Sequence, residues 1–273
     1  MEIWVTEYQT KSLGFSLKIK NTLKTEKTKY QTLAVVDTEQ FGKMLLLDGM
    51  VMTTEQDEFV YHEMITQVVL NSHPNPKKVL IVGGGDGGAL REVVNHPAVE
   101  SGLLVEIDER VVLASQEYFP QLSTAFTHTK AHIIIDDGIA FVKNHKNSFD
   151  LIIVDSTEPV GPAIELFSPS FYKNVYEALH DDGMLVVQSE SPFFNQEVIK
   201  KAFGGIDSIF PLTKLYLASI PTYPSGLWSF TVGSKKYDPE VIVNEAALNT
   251  KYYSSDIHQA AFKLPPFVQE IIA

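Results

Sequence analysis

The stretch Val79-Leu-Ile-Val-Gly83-Gly-Gly-Asp86-Gly-Gly88-Ala-Leu-Arg91-Glu-Val-Val94 decides the fold. Four apolar, largely β-branched residues read as a short buried strand, and the residues after Gly88 return to helical spacing. The turn between them satisfies G-x-G-x-x-G, with glycines where a tight reversal and a close approach of backbone to a ligand are needed. Glu106 follows 21 residues after Gly85, at the end of the next apolar run. An acid so placed accepts hydrogen bonds from ribose hydroxyls.

Outward from this turn, the short apolar runs 102–107, 131–135, 149–154 and 183–189 are separated by segments of helix length. That alternation predicts a βαβ series around a mostly parallel, buried sheet. Two later runs, 212–220 and 227–233, flank Pro221-Thr-Tyr-Pro-Ser-Gly226 and predict an antiparallel pair at the sheet edge. Upstream, residues 1–54 read as strands: Phe15–Ile19 alternates, Gln31–Val36 is β-branched, and Lys43–Leu47 ends at the turn pair Asp48-Gly49. Thr54-Glu55-Gln56-Asp57 resembles a capping box with Asp in the acid position, opening a helix to Leu70. The expected division is a small antiparallel domain over 1–58 and an α/β domain over 59–273.

The chain has 273 residues and a net charge of −12, from 22 basic and 34 acidic side chains. That balance speaks against a nucleic-acid surface, which needs a net basic face. The absence of cysteine excludes disulfides, thiolate catalysis and cysteine-based metal centres. With no basic-then-apolar start and no run near the roughly 20 residues of a membrane span, a soluble cytoplasmic protein with no membrane partner is expected.

Ligands of open α/β sheets bind beyond the carboxyl ends of the strands. Those ends here carry Asp86, Glu106 and Asp108, Asp136 and Asp137, Asp155 and Glu158, and Glu190. Asp108 and Asp136 read as helix caps or solvated loop residues, and capping is also the plain alternative for Asp86. A carboxylate inside the glycine turn suits a dinucleotide poorly. At ~4 Å, with an effective dielectric near 20, it would repel a phosphate by about 4 kcal/mol. The inferred ligand set is an adenosine and at least one positive group.

These residues closely resemble the polyamine aminopropyltransferase (spermidine synthase) family. The resemblance runs through Tyr30-Gln31, Leu47-Asp48-Gly49, Glu58-Phe-Val-Tyr-His-Glu63, the glycine turn, Glu106-Ile-Asp108, Asp137-Gly138, Asp155-Ser-Thr-Glu-Pro-Val-Gly-Pro162 and Ile220–Gly226, nearly the whole chain. It implies a Rossmann-like, methyltransferase-type domain behind a small N-terminal β domain, assembled as a homodimer or homotetramer. It also implies transfer of an aminopropyl group from decarboxylated S-adenosylmethionine, a co-substrate, to putrescine, giving spermidine and 5′-methylthioadenosine without a metal or further cofactor.

Carried over by position, Asp155 is the expected proton acceptor and Asp86 the carboxylate that holds the amine end of the aminopropyl chain. Tyr61, His62, Ser156, Thr157, Glu158 and Tyr223 are expected around the acceptor amine, with Tyr61, His62 and Tyr223 lining its channel. Gln31, Gly83, Gly85, Glu106, Asp137, Gly138 and Pro162 are expected around the nucleoside. Glu158 and His62 depart from the Asp and Gln of many or some members, which leaves cadaverine, agmatine and spermidine open as acceptors. Asp86 also explains a decarboxylated donor, since it would repel the carboxylate of ordinary S-adenosylmethionine. Other readings of the same pattern are an S-adenosylmethionine-dependent methyltransferase, a non-catalytic polyamine or nucleoside binder, and a dehydrogenase. Glu58 and His62 at i, i+4 suggest a weak metal pair, and Arg91 reads as a solvated or structural charge.

Overall fold

A computed structural model describes residues 2–157, 161–244 and 249–273, apart from the side chains at 161 and 162. Glu158 therefore lies outside the described residues, as does the side chain of Pro162.

The N-terminal part is a five-stranded antiparallel sheet in simple order: β1 (Ile3–Thr10), β2 (Leu13–Lys27), β3 (Thr32–Thr38), β4 (Lys43–Leu47) and β5 (Met50–Thr54). Asp48 and Gly49 join β4 to β5 with φ of 51° and 85°. Two positive φ values in a two-residue hairpin give the turn whose twist matches its strands, and Asp and Gly tolerate it best.

The second sheet has seven strands. They are β6 (Lys78–Gly83), β7 (Ser101–Glu106), β8 (Ala131–Ile135), β9 (Phe149–Asp155), β10 (Leu179–Gln188), β11 (Leu212–Ser219) and β12 (Leu227–Ser234). Their order is β11-β12-β10-β9-β6-β7-β8, with parallel pairing from β10 to β8 and antiparallel pairing of β12 to both its neighbours. The expected edge pair is thus present, with β11 outermost.

Nine α-helices surround the sheets: α1 (Glu58–Ser72), α2 (Gly88–Asn95), α3 (Glu109–Tyr118), α4 (Pro120–Ser123), α5 (Gly138–Asn144), α6 (Pro169–Ala178), α7 (Gln196–Asp207), α8 (Ser255–Ala261) and α9 (Pro266–Ile272), counted among the described residues. Alternate strand residues feed two cores. Val79, Ile81, Leu104, Ile153 and Val186 pack against α1 and α2, while Leu80, Val82, Val105, Ile152 and Val187 face α5, α6 and α7. Burial on both faces is why these strands read as unbroken apolar runs rather than alternating ones. Leu33, Val35, Leu45 and Leu47 of the first sheet pack on Val111, Phe119 and Leu122 of α3 and its surroundings, which ties the two sheets together. No helix among the described residues is long and apolar enough to cross a membrane.

Two expectations need correction. The Thr54–Asp57 turn does not itself open the helix. Thr54 Oγ1 donates to Asp57 Oδ1 at 2.6 Å, and α1 begins only at Glu58. Asp57 spends its other oxygen on the N–H and hydroxyl of Thr222, at 2.9 and 2.7 Å, pinning the 221–226 loop. The second concerns the acids before α5: Asp137, not Asp136, is the cap, accepting from Ile139 N at 2.8 Å. Asp108 caps α3 as expected.

Helix α1 is buried at every residue but Phe59, although half its side chains are polar. Buried polar groups need partners. Glu63 finds three, the backbone N–H groups of Lys251, Tyr252 and Tyr253, and so fastens the C-terminal segment.

Candidate active site

Strand β6 lies between β7 and β9; α2, which leads from β6 to β7, packs on one face of the sheet and α5, which leads from β8 to β9, on the other, so a crevice opens at the carboxyl ends of these three strands. A cavity of about 430 Å³ occupies it. Its walls include Gly83, Gly84, Gly85, Asp86, Glu106, Asp137, Gly138, Asp155, Ser156 and Thr157 from the strand ends, with Tyr61 and Tyr223. Gln31, Leu45, Leu47, Met50 and Met52 of the first sheet close it from above. The apolar part of that roof was not singled out from the sequence. Alternation along β4 and β5 marks a face, not what the face meets.

The glycines make room for protein groups as much as for a ligand. A Cβ at Gly83 would stand 2.2 Å from the backbone oxygen of Asp155, and one at Gly85 2.9 Å from the Glu106 carboxylate. One at Gly88 would lie 2.2 Å from the His62 ring. Gly84 N donates to Asp155 O at 2.8 Å, locking the turn to the end of β9.

Asp155 is half-buried as a residue, but its carboxylate turns inward. Oδ1 accepts the Tyr61 hydroxyl at 2.7 Å, and Oδ2 is buried with no hydrogen-bond partner among the described residues. Burial, and then the neighbouring Asp86, push its pKa up to about 6, against the opposing pull of His62 and Tyr61. A half-satisfied carboxylate facing a cavity is a ready acceptor for a proton. Tyr61 cannot compete for that role, because burial and then the Asp155 charge hold its hydroxyl protonated.

Asp86 is buried in the turn. Oδ1 accepts from Gly88 N at 2.8 Å, so part of the capping alternative holds, and Oδ2 lies 3.3 Å from His62 Nε2. His62 differs from its expected place. It does not line the cavity but sits 1% exposed behind Asp86, with Nδ1 2.7 Å from Glu58 Oε2. Burial opposes a charged ring, yet Asp86 and Glu58 on its two nitrogens outweigh it and hold the pKa well above the usual value. His62, Asp86 and Asp155 bring ligand atoms within 4.8 Å of one another, and both His62 nitrogens already face carboxylate oxygens. Arg91 is not solvated: it grips Glu58 through both guanidinium nitrogens at 2.9 and 3.0 Å.

At the end of β7, Glu106 accepts from Asp108 N at 2.8 Å and from Gly85 N at 3.2 Å. Burial still dominates and pushes its pKa up to about 7. Gln31 points its amide at Asp108, 3.0 Å away, and Thr28 donates to the same oxygen at 2.7 Å, so the first sheet is hydrogen-bonded to the rim. Tyr223 stacks its ring 5.5 Å from Tyr61 and donates to Met52 O at 2.6 Å, bridging the 221–226 loop to β5. Glu190, also at a strand end, is fully buried and does not line the cavity.

A strand-end crevice walled by carboxylates and roofed by a separate antiparallel sheet defines the class: a Rossmann-like fold with its ligand site at the strand ends. Comparison with known proteins narrows it. Residues 58–245 match the spermine/spermidine synthase domain, and residues 3–55 the spermidine synthase tetramerisation domain. A polyamine aminopropyltransferase of Caldicellulosiruptor bescii is 58% identical over 274 residues, covering 100% of this chain and 99% of the relative. One from Shouchella clausii is 53% identical, with 100% of both chains covered. A crystal structure of spermidine synthase in complex with the transition-state analogue AdoDATO superimposes with a TM-score of 0.96 at 41% identity, covering 99% of this chain and 94% of that one. The Thermotoga maritima spermidine synthase gives 0.95 at 40%, with the same coverage. The chain belongs to the spermine/spermidine synthase family and is a transferase.

Proposed function

We propose that the chain transfers the aminopropyl group of decarboxylated S-adenosylmethionine to putrescine, with Asp155 as proton acceptor. The observation that carries this reading is the Asp155 carboxyl, which lines the cavity beside Asp86 and whose buried Oδ2 has no hydrogen-bond partner among the described residues. An attacking amine must be uncharged, although an alkylammonium has a pKa near ~10.4. Desolvation and the nearby sulfonium weaken its hold on the proton, and Asp155 accepts it. The new C–N bond forms as the C–S bond breaks, and the sulfur leaves as neutral methylthioadenosine. Asp86 attracts the amine of the aminopropyl chain, Ser156, Thr157 and Glu158 flank the acceptor, and Tyr61 and Tyr223 wall its methylene chain. Gln31, Gly83, Gly85, Glu106, Asp137, Gly138 and Pro162 surround the nucleoside. Decarboxylated S-adenosylmethionine is consumed as a co-substrate, and the proposal includes no resident cofactor.

The test is methylthioadenosine release from decarboxylated S-adenosylmethionine with putrescine, cadaverine, agmatine and spermidine in turn. Putrescine should give the highest kcat/KM. Release with none of them, or a clear preference for another amine, would overturn the reading.

A second expectation concerns protons. With a pKa of about 7, Glu106 is partly protonated at neutral pH in the empty site. Ribose hydroxyls donate to its ionised form and so lower that pKa. Nucleoside binding should release a fraction of a proton at pH 7, and affinity should rise with pH up to about 7 and then level. Calorimetry in buffers of different ionisation heat measures this release, which Glu106→Gln should abolish.

Assembly as a homodimer or homotetramer is part of the same proposal. It is supported by the match to a tetramerisation domain and by Trp4 and Tyr8, 55% and 77% exposed on β1.

A further inference from the structure

We propose that Arg91 and Glu58, both outside the cavity, are positioning residues that hold His62 as a doubly donating cation and through it fix the acids Asp86 and Asp155. The inference rests on the catalytic reading above for its consequence, but not for its geometry.

The chain of contacts is continuous. Gln67 donates to Glu92 at 3.2 Å, Glu92 accepts Arg91 Nε at 2.9 Å, and the guanidinium grips Glu58 at 2.9 and 3.0 Å. Glu58 Oε2 then faces His62 Nδ1 at 2.7 Å, and His62 Nε2 faces Asp86 Oδ2 at 3.3 Å. Each imidazole nitrogen therefore meets a carboxylate oxygen. A neutral ring has one N–H and would turn a lone pair toward one of them; only the imidazolium satisfies both. The ring is sealed in, 1% exposed and packed against Gly88, where a Cβ would overlap it at 2.2 Å. Glu58 is sealed in the same way, 6% exposed, and the paired arginine lets it stay ionised.

Among the described residues, the charged or titratable groups placed against His62 are Glu58 and the Tyr61 ring from α1, Asp86 from the glycine turn and Asp155 from β9, with Arg91 of α2 behind Glu58. Asp86 and Asp155 are two acids crowded into one dry corner. The imidazolium places a positive charge beside both and favours the ionised form of Asp155 when the amine arrives. It also occupies one oxygen of Asp86, while Gly88 N occupies the other, so the carboxylate has one orientation toward the cavity.

The spacing of Glu58 and His62 was visible in the sequence, but Arg91 lies 33 residues from Glu58 and only the packing of α2 on α1 brings it there. The test has two readouts on the full-length enzyme. Nitrogen-15 spectra of histidine-labelled protein, taken without substrate, should show both ring nitrogens of His62 protonated at pH 8, and Glu58→Gln should convert the ring to a neutral tautomer at that pH. In kinetics, Glu58→Gln should lower kcat/KM at least tenfold at pH 6.5 and at least threefold less than that at pH 9, because losing the cation raises the proton affinity of Asp155. If Glu58→Gln does not fold, Arg91→Met takes its place, with Arg91→Lys expected to recover most of the loss. A neutral His62 in the native enzyme, or a loss of equal size at both pH values, would overturn the proposal. The spectra do not depend on which amine is the acceptor, so an error there leaves this outcome readable.

Discussion

Asp155→Asn should lower turnover by about 10²–10⁴-fold, the usual worth of a positioned general base, while donor affinity changes little. Asn keeps the size and can still accept the Tyr61 hydroxyl that Oδ1 accepts at 2.7 Å, so the cavity keeps its shape. What is lost is the carboxylate proposed to take the proton. The same substitution should make the empty protein more stable. The carboxyl's pKa is raised in the fold to about 6 from 3.8, so the folded state binds its proton more tightly than the unfolded one. Stability therefore increases as pH falls through 6, and at pH 7.5 the buried charge is a net cost. At about 1.36 kcal/mol for each tenfold change in proton affinity, relief amounts to at most about 3 kcal/mol. Lower activity with a higher melting temperature separates a lost base from a damaged fold. Turnover within a few-fold of native would remove Asp155 from its role.

Gly83→Ala should be the most damaging change of a single methyl. Gly83 has φ of 84°, a backbone region that costs a residue with a Cβ roughly 1–2 kcal/mol. Its Cβ would also stand 2.2 Å from the backbone oxygen of Asp155, an atom already fixed by Gly84 N at 2.8 Å. Overpacking of this kind costs typically 1–3 kcal/mol more. The total of about 2–5 kcal/mol lowers the melting temperature by very roughly 5–20 °C for a chain of this size. Activity should fall further than stability, since the displaced atom belongs to the proposed base. Gly204→Ala is the matched control: it lies in α7 with nothing within 4 Å of the new methyl and should stabilise by about 0.5–1 kcal/mol. Similar melts for the two variants would refute the steric reading of the turn.

Much of the architecture is written locally. Runs such as Val79–Val82 are apolar because both faces of the strand are covered, and the Asp48-Gly49 pair names its own turn. Positions carried by the family resemblance also gather where expected, with Asp86, Glu106, Asp137, Asp155 and Tyr223 around one cavity. What local patterns do not carry is which polar groups meet across the fold. Glu58 and His62 suggested a metal pair by spacing alone, yet their partner is Arg91 on another helix. Thr54 and Asp57 looked like a helix start, but Asp57 is drawn to Thr222 from 165 residues away. Helices α8 and α9 gave no clear apolar period and were not anticipated; α8 is held by a Tyr253–His258 hydrogen bond and α9 by packing of Val268 and Ile271 near β11.

The central claim is that the attacking amine sits at Oδ2 of Asp155, and a crystal structure of the enzyme with methylthioadenosine and putrescine bound together tests it most directly. One putrescine nitrogen should lie within about 3.2 Å of Asp155 Oδ2, on the side of the thioether from which the aminopropyl carbon would be attacked. A putrescine whose nitrogens both lie beyond hydrogen-bond and single-water reach of Asp155 would contradict it.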